Sequence, residues 1–169
     1  AEMQENIYVL LNKPVQVVSS VQDPQKRKTV LDLLPHELVQ KRIFPVGRLD
    51  YMSEGLLLLT NDGDLTYRLT HPRWHVPKVY KVKIRGQVSR DKLQVMRKGM
   101  ILKEGEKLAP IKVCNVKQEK QHTLLEMQLK QGLNRQIRRM CRDLELTILS
   151  LQRTAQGPVH LSSLSPGTW

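Results

Sequence analysis

Apolar positions along the chain fall into short runs separated by turn formers, and their spacing changes from one run to the next. Residues 7–11, IYVLL, read as a first strand, stopped by Asn12-Lys13-Pro14. SVQDPQKRK is a loop with a basic run at Lys26-Arg27-Lys28. Thr29 caps a short helix through Leu34, which Pro35 ends. Residues 43–46 form a short strand leading into Gly47-Arg48-Leu49-Asp50, and 56–60 a buried strand. NDGD is a turn, Asp64 caps a helix over 65–70, and His71-Pro72 stops it.

Next, KVYKVKIRG alternates with period two. Tyr80, Val82 and Ile84 share one face; Val79, Lys81, Lys83 and Arg85 share the other, which is mostly cationic. Ser89 caps a helix over 92–98 that Gly99 closes. Strands follow at 111–117 and 123–129, a helix at 135–145, a strand at 148–153, and a closing segment at 159–161 before the SPG turn. Strands outnumber helices and do not alternate strictly with them. The expectation is an α+β fold with a largely antiparallel or mixed sheet and flanking helices.

The helix at 135–145 carries the most information. At about 100° per residue, Ile137, Met140, Cys141 and Leu144 form one apolar stripe. Arg135, Arg139 and Arg142 fall opposite, with Arg138 at the border on the Cys141 side. Every cation of this face is arginine, whose planar fork binds phosphate and carboxylate bidentately. A border arginine can bury its stem and point its fork sideways into a neighbouring site.

Composition strengthens the nucleic-acid reading. Of 169 residues, 28 are Lys or Arg and 16 are Asp or Glu, a net charge of +12, which attracts polyanions. The 40% hydrophobic content suffices for one domain, or two small halves sharing a core. With one Phe, two Trp and four Tyr, the chain is poor in stacking platforms. No apolar run approaches the ~20 residues of a membrane span, and the first residues do not read as a signal peptide. Cys114 and Cys141 are read as reduced core thiols of a cytoplasmic protein.

The motif inventory removes several chemistries. DYMSEG from Asp50 imitates a calcium loop, but Met52 and Asn61 stand where ligands belong. The five histidines have no paired metal spacing, and there is no Walker A loop, no GxGxxG and no nucleophile elbow. What remains is Asp50, between Arg48 and the leucines 56–59. On its own it reads as a turn residue.

Taken together, LNKP, VGRLDYMSEGLLLLTNDGDLTYRLTHP, KVYKVKIRGQV, GLNRQIRRM and RTAQGPVHLSSLSPGTW resemble the RsuA-type ribosomal RNA pseudouridine synthases over nearly the whole chain. The large-subunit branch is the nearer one. One departure is Gln16, where the family usually has Gly. The resemblance implies a single catalytic domain over 1–169, two α+β halves sharing a sheet, with a central RNA-binding cleft. The small S4-type RNA-binding domain that many members carry in front is not expected in this chain.

The resemblance also implies the chemistry. A target uridine is flipped out, its base detaches, rotates and rejoins through carbon. Asp50 then corresponds to the catalytic carboxylate, as nucleophile or proton acceptor. Arg138 is its cationic partner, and Tyr80 stacks on the flipped base. Arg48 fills the gap left by that nucleotide, and Ile137 walls the base pocket. Lys13, Arg135, Arg139 and Arg142 join Arg48 as RNA-binding residues. No metal and no cofactor is implied. The partner is a ribosomal RNA stem-loop, and the chain is expected to act as a monomer in the cytoplasm. Two other readings compete. A non-catalytic RNA-binding or ribosome-assembly module would not need Asp50, Tyr80 and Arg138 to converge. A sugar-cleaving hydrolase would need a second carboxylate nearby, for which Glu54, expected to face solvent, is the only neighbour.

Overall fold

A computed structural model describes residues 5–169. Strands β1 (Tyr8–Lys13), β2 (Phe44–Pro45), β3 (Glu54–Thr60), β4 (Lys78–Arg85), β5 (Lys112–Gln118), β6 (His122–Leu129), β7 (Ile148–Gln156) and β8 (Val159–His160) form one sheet. Its order is β1-β3-β7-β4-β6-β5, with β2 on β3 and β8 on β7. Every pairing is antiparallel except β3 with β7. That parallel seam has two register pairs, Glu54 with Gln152 and Gly55 with Arg153. It joins an N-terminal half, β1–β3, to a C-terminal half, β4–β7. The helices are α1 (His36–Val39), α2 (Gly63–Thr70), α3 (Arg90–Lys98) and α4 (Gln136–Asp143). The architecture is the expected α+β fold with a mixed sheet.

Alternation along β3 divides its leucines between two layers. Leu57 and Leu59 pack with Val9, Leu11, Val17, Val30, Ile43 and Leu49. Leu58 faces the other way, onto Val46 and Leu69 of α2. In the C-terminal half, Val82, Ile84, Leu125, Met127 and Leu151 meet Leu93 and Met96 of α3 and Ile137, Met140 and Cys141 of α4. Each such buried side chain contributes about 1.5–3 kcal/mol. Tyr80 packs against both large clusters, so it stands where the two halves meet.

Local signals explain most element ends. The Ser89 hydroxyl accepts from the Lys92 amide, and Gly99 closes α3 at φ 90°. α2 is capped by Asp62 rather than Asp64: the Asp62 carboxylate accepts from the Leu65 amide at 3.1 Å. The helix expected after Thr29 is a 3-10 turn, Val30–Leu33, and Pro35 opens α1 instead of ending helical structure. β1 runs two residues further than expected because Asn12 and Lys13 still pair with Leu56 and Gly55. Gln16 has φ 62° and donates its amide to Tyr51 O at 2.7 Å. That left-handed conformation favours glycine, so a side chain here costs about 1 kcal/mol. Among the described residues no helix is long and apolar enough to cross a membrane.

Candidate active site

The seam between the halves opens into a cleft of about 580 Å³. Asp50, Arg48, Tyr80, Ile137, Arg135 and Arg138 all line it. These residues come from three separate segments that the topology brings together.

Asp50 opens the turn that precedes β3: its carbonyl accepts from the Ser53 amide at 3.0 Å. The turn reading of this residue therefore holds for its backbone. Its carboxylate faces α4, with Oδ2 3.2 Å from Arg135 Nη1 and 3.6 Å from Arg138 Nε. The Asp50 side chain is one-third exposed, so it is ion-paired yet open to the cleft.

Arg138 is anchored from behind. Its Nη2 donates to the Ser53 hydroxyl at 2.9 Å, while its buried Nε makes no hydrogen bond. Burial pushes the guanidinium below its ordinary pKa, Asp50 pulls it back up, and Arg135 adds to the fall. Ser53 is itself buried, and the sequence reading did not single it out. Its signal was its place in the same turn as Asp50.

Tyr80 enters the cleft through an irregularity. The register between β4 and β7 shifts between Val79, opposite Ala155, and Tyr80, opposite Arg153. Thr154 is the extra residue, and its hydroxyl donates to Val79 O at 3.3 Å. Such bulges re-aim side chains beside functional sites. Arg153, also missed from sequence, is buried on the cleft floor and donates its Nε to Leu56 O at 2.9 Å. It ties β7 to β3 at the parallel seam.

Three of the expected RNA contacts are placed differently. Lys13 is fully buried, and its ammonium donates to Pro14 O and Val17 O, each at 2.8 Å. It is an internal strut and cannot reach a phosphate. Burial pushes it down to about 8, against the pull of the Asp50 and Glu54 carboxylates. Glu54, expected to face solvent, is half-buried. Arg139 and Arg142 spend their forks on carboxylates: Arg139 on Glu106 at 2.6 and 2.7 Å, Arg142 on Asp143 at 2.8 Å and Glu104 at 3.0 Å. Arg48, Lys26 and Lys28 are exposed, whereas Arg27 is tied to Asp23 and lies 5.0 Å over the Tyr51 ring.

Lys13 carries a pH signature. Its folded pKa of about 8 lies below the ordinary 10.5, so between those values the unfolded chain holds more protons. Through this group, stability rises with pH across that window. In urea denaturation, the stability of wild type minus that of Lys13→Met should increase from pH 8 to pH 10. A constant difference would mean that Lys13 titrates normally.

A fold that lines one basic cleft with a tyrosine and with a carboxylate held by two arginines defines a candidate RNA-modifying enzyme. The sequence profile of the RNA pseudouridylate synthase family matches residues 7–143, and the chain belongs to that family. It is 37% identical, over 98% of its length, to the ribosomal large subunit pseudouridine synthase B of Bacillus subtilis and spans 68% of that protein. An RNA pseudouridine synthase of Aquifex aeolicus is 39% identical over 98% of this chain, which spans 66% of that relative. A crystal structure of a pseudouridylate synthase superposes with a TM-score of 0.86 at 29% identity, covering 98% of this chain and 69% of the other.

Proposed function

We propose that this chain converts one uridine of large-subunit ribosomal RNA to pseudouridine, acting as a monomer in the cytoplasm. The observation that carries the reading is the convergence of Asp50, Arg135, Arg138 and Tyr80 in one cleft. The large-subunit substrate is supported by the name of the Bacillus subtilis relative. A non-catalytic RNA-binding module would have no use for a carboxylate turned into a basic cleft, where it repels phosphate.

The reaction is an isomerisation. The bond from ribose C1′ to N1 of uracil breaks, a bond from C1′ to C5 forms, the C5 hydrogen leaves as a proton, and N1 takes one up. Asp50 acts on the sugar or the base as nucleophile or proton acceptor, and its two arginines hold it beside the flipped nucleotide. Tyr80 stacks on the base, Ile137 walls the pocket, and Arg48 fills the gap in the helix. Flipping costs a few kcal/mol, which the cationic cleft offsets through phosphate contacts.

Tyr80→Phe keeps the ring and removes the hydroxyl. RNA affinity should stay within about twofold, since stacking uses the ring face. Turnover should fall about 100-fold if the hydroxyl moves a proton. Full turnover by the Phe variant would leave Tyr80 a packing role only.

Pseudouridine mapping of ribosomal RNA from cells lacking the gene, with and without a restored copy, tests the substrate. The expected result is one large-subunit pseudouridine that disappears and returns. Loss of a small-subunit site, or of none, would contradict the assignment.

A further inference from the structure

α4 carries both arginines that face Asp50, yet its own start is weakly held. Arg135, at the N-cap, has left-handed φ 51° and makes no side-chain cap. The helix is eight residues long, and short helices are marginal without tertiary contacts. Gln136 and Ile137 are buried and the Gln136 amide donates to Leu133 O at 3.2 Å; the remaining hold on the first turn comes from the side. Arg139 Nε donates to Asn134 O at 2.8 Å, reaching back across the first turn of the helix. The two terminal nitrogens of the same guanidinium grip both oxygens of Glu106, at 2.6 and 2.7 Å. The Arg139 amide donates to Arg135 O at 2.9 Å. One side chain thus joins the loop before α4, the helix itself and the 101–107 hairpin.

That hairpin is fixed in turn. Ile101 bridges Lys107, the Leu102 amide donates to Glu106 O at 2.8 Å, and the Lys103 amide donates to the Asp143 carboxylate at 2.8 Å. The hairpin is therefore fastened to both ends of α4. Arg142 closes the far end through Asp143 and Glu104.

We infer that Arg139 and Glu106 are positioning residues: a brace that sets the start of α4 so that Arg135 and Arg138 meet Asp50, and not a phosphate contact. The inference rests on the reading of Asp50 as the reacting carboxylate. An Arg139 committed to three acceptors has no free donor edge for a phosphate of comparable quality. The carboxylate of Glu106 would also repel one. The brace acts on geometry: Arg138 immediately precedes Arg139 in the chain, and Arg135 lies one turn before it. A displacement of about 1 Å remote from the chemistry costs up to about 100-fold in rate.

Two substitutions separate the brace from a phosphate contact. Arg139→Lys keeps the charge but not the fork, so a phosphate contact would weaken in affinity while keeping its salt slope, whereas loss of the brace would lower the rate and leave affinity alone. Glu106→Gln frees Arg139, so a phosphate contact would strengthen and the brace would weaken. Three readouts are taken on each: single-turnover pseudouridine formation, RNA affinity against salt, and hydrogen exchange at the 133–137 amides. The expected result for both variants is a rate about 10- to 100-fold lower, affinity within about twofold, an unchanged salt slope and faster exchange at those amides. Tighter RNA binding and a steeper slope for Glu106→Gln with the rate kept, or unchanged rates in both variants, would overturn the brace. If wild-type protein itself converts no uridine in any ribosomal transcript, the functional reading fails separately. The brace then stands on accelerated exchange in the variants and falls on unchanged exchange.

Discussion

Asp50→Asn should abolish conversion of uridine while leaving the fold and RNA binding in place. The substitution keeps the size and most of the hydrogen bonding of the side chain and removes its charge and basicity. The turn at 50–53 depends on the Asp50 carbonyl accepting from Ser53, a backbone contact that Asn retains. The carboxylate, by contrast, is what Arg135 and Arg138 face. Turnover should fall by at least about a thousandfold, the scale on which losing a nucleophile or essential base acts elsewhere. Some stability loss is expected, because Arg138 is half-buried and would keep its charge with the Ser53 hydroxyl but without a carboxylate beside its Nε. Rates are therefore compared at matched folded fraction. RNA binding should hold or tighten, since one negative charge leaves a cationic cleft. Wild-type turnover by the Asn variant would return Asp50 to a turn residue.

Gly55→Ala should be severely destabilising for the addition of a single methyl. Gly55 has φ 108°, a conformation that L side chains rarely adopt. An added Cβ would meet the Arg153 carbonyl oxygen, the Arg153 amide nitrogen at 2.7 Å and Gln152 Cγ at 2.9 Å. The first two are backbone atoms of β7, so relief requires opening the parallel seam. That seam has only two register pairs, and Asp50 lies in the turn that leads into it. Backbone strain and overpacking together should cost about 2–5 kcal/mol. The melting temperature should drop by about 4–20 °C. Gly63→Ala, in α2 with nothing within 4 Å of its added Cβ, serves as the contrast. It should change stability by no more than about 1 kcal/mol, toward greater stability. Equal melting temperatures for the two variants would show that the seam is more pliable than its contacts imply.

Local rules were legible in the sequence wherever they had no competitor. β4 announced itself by period-two alternation, and α3 by Ser89 before it and Gly99 after it. Asp62 and Asp64 both satisfy the helix-capping rule; the sequence reading took Asp64, and the Leu65 amide bonds Asp62 instead. The parallel seam was not legible, because Glu54–Gly55 and Gln152–Arg153 lie about a hundred residues apart in the chain. Tyr80 was found through its motif, but the bulge that aims it depends on Thr154 of another strand.

The helix wheel named Arg138 as the arginine able to reach sideways, and Arg138 lies beside Asp50. It did not see that Arg135 reaches Asp50 too, because the left-handed φ of Arg135 takes that residue off the wheel. Nor did it see that Arg139 and Arg142 meet carboxylates from residues 104–106, a hairpin more than thirty positions away. Lys13 was misjudged for a related reason. A lysine in a basic chain reads as a surface charge, and only tertiary folding reveals two carbonyls waiting inside.

Asp50-dependent isomerisation is tested most directly by release of tritium from a large-subunit ribosomal transcript made with uridine labelled at C5. Breaking the bond to N1 and joining C1′ to C5 expels the C5 hydrogen, and neither binding nor hydrolysis of the base does so. Wild-type chain should release one tritium per transcript, matched by one new pseudouridine in an RNA otherwise of unchanged mass, and Asp50→Asn should release none. A wild-type chain that binds the transcript and releases no tritium, or an Asn variant that releases as much, would contradict it.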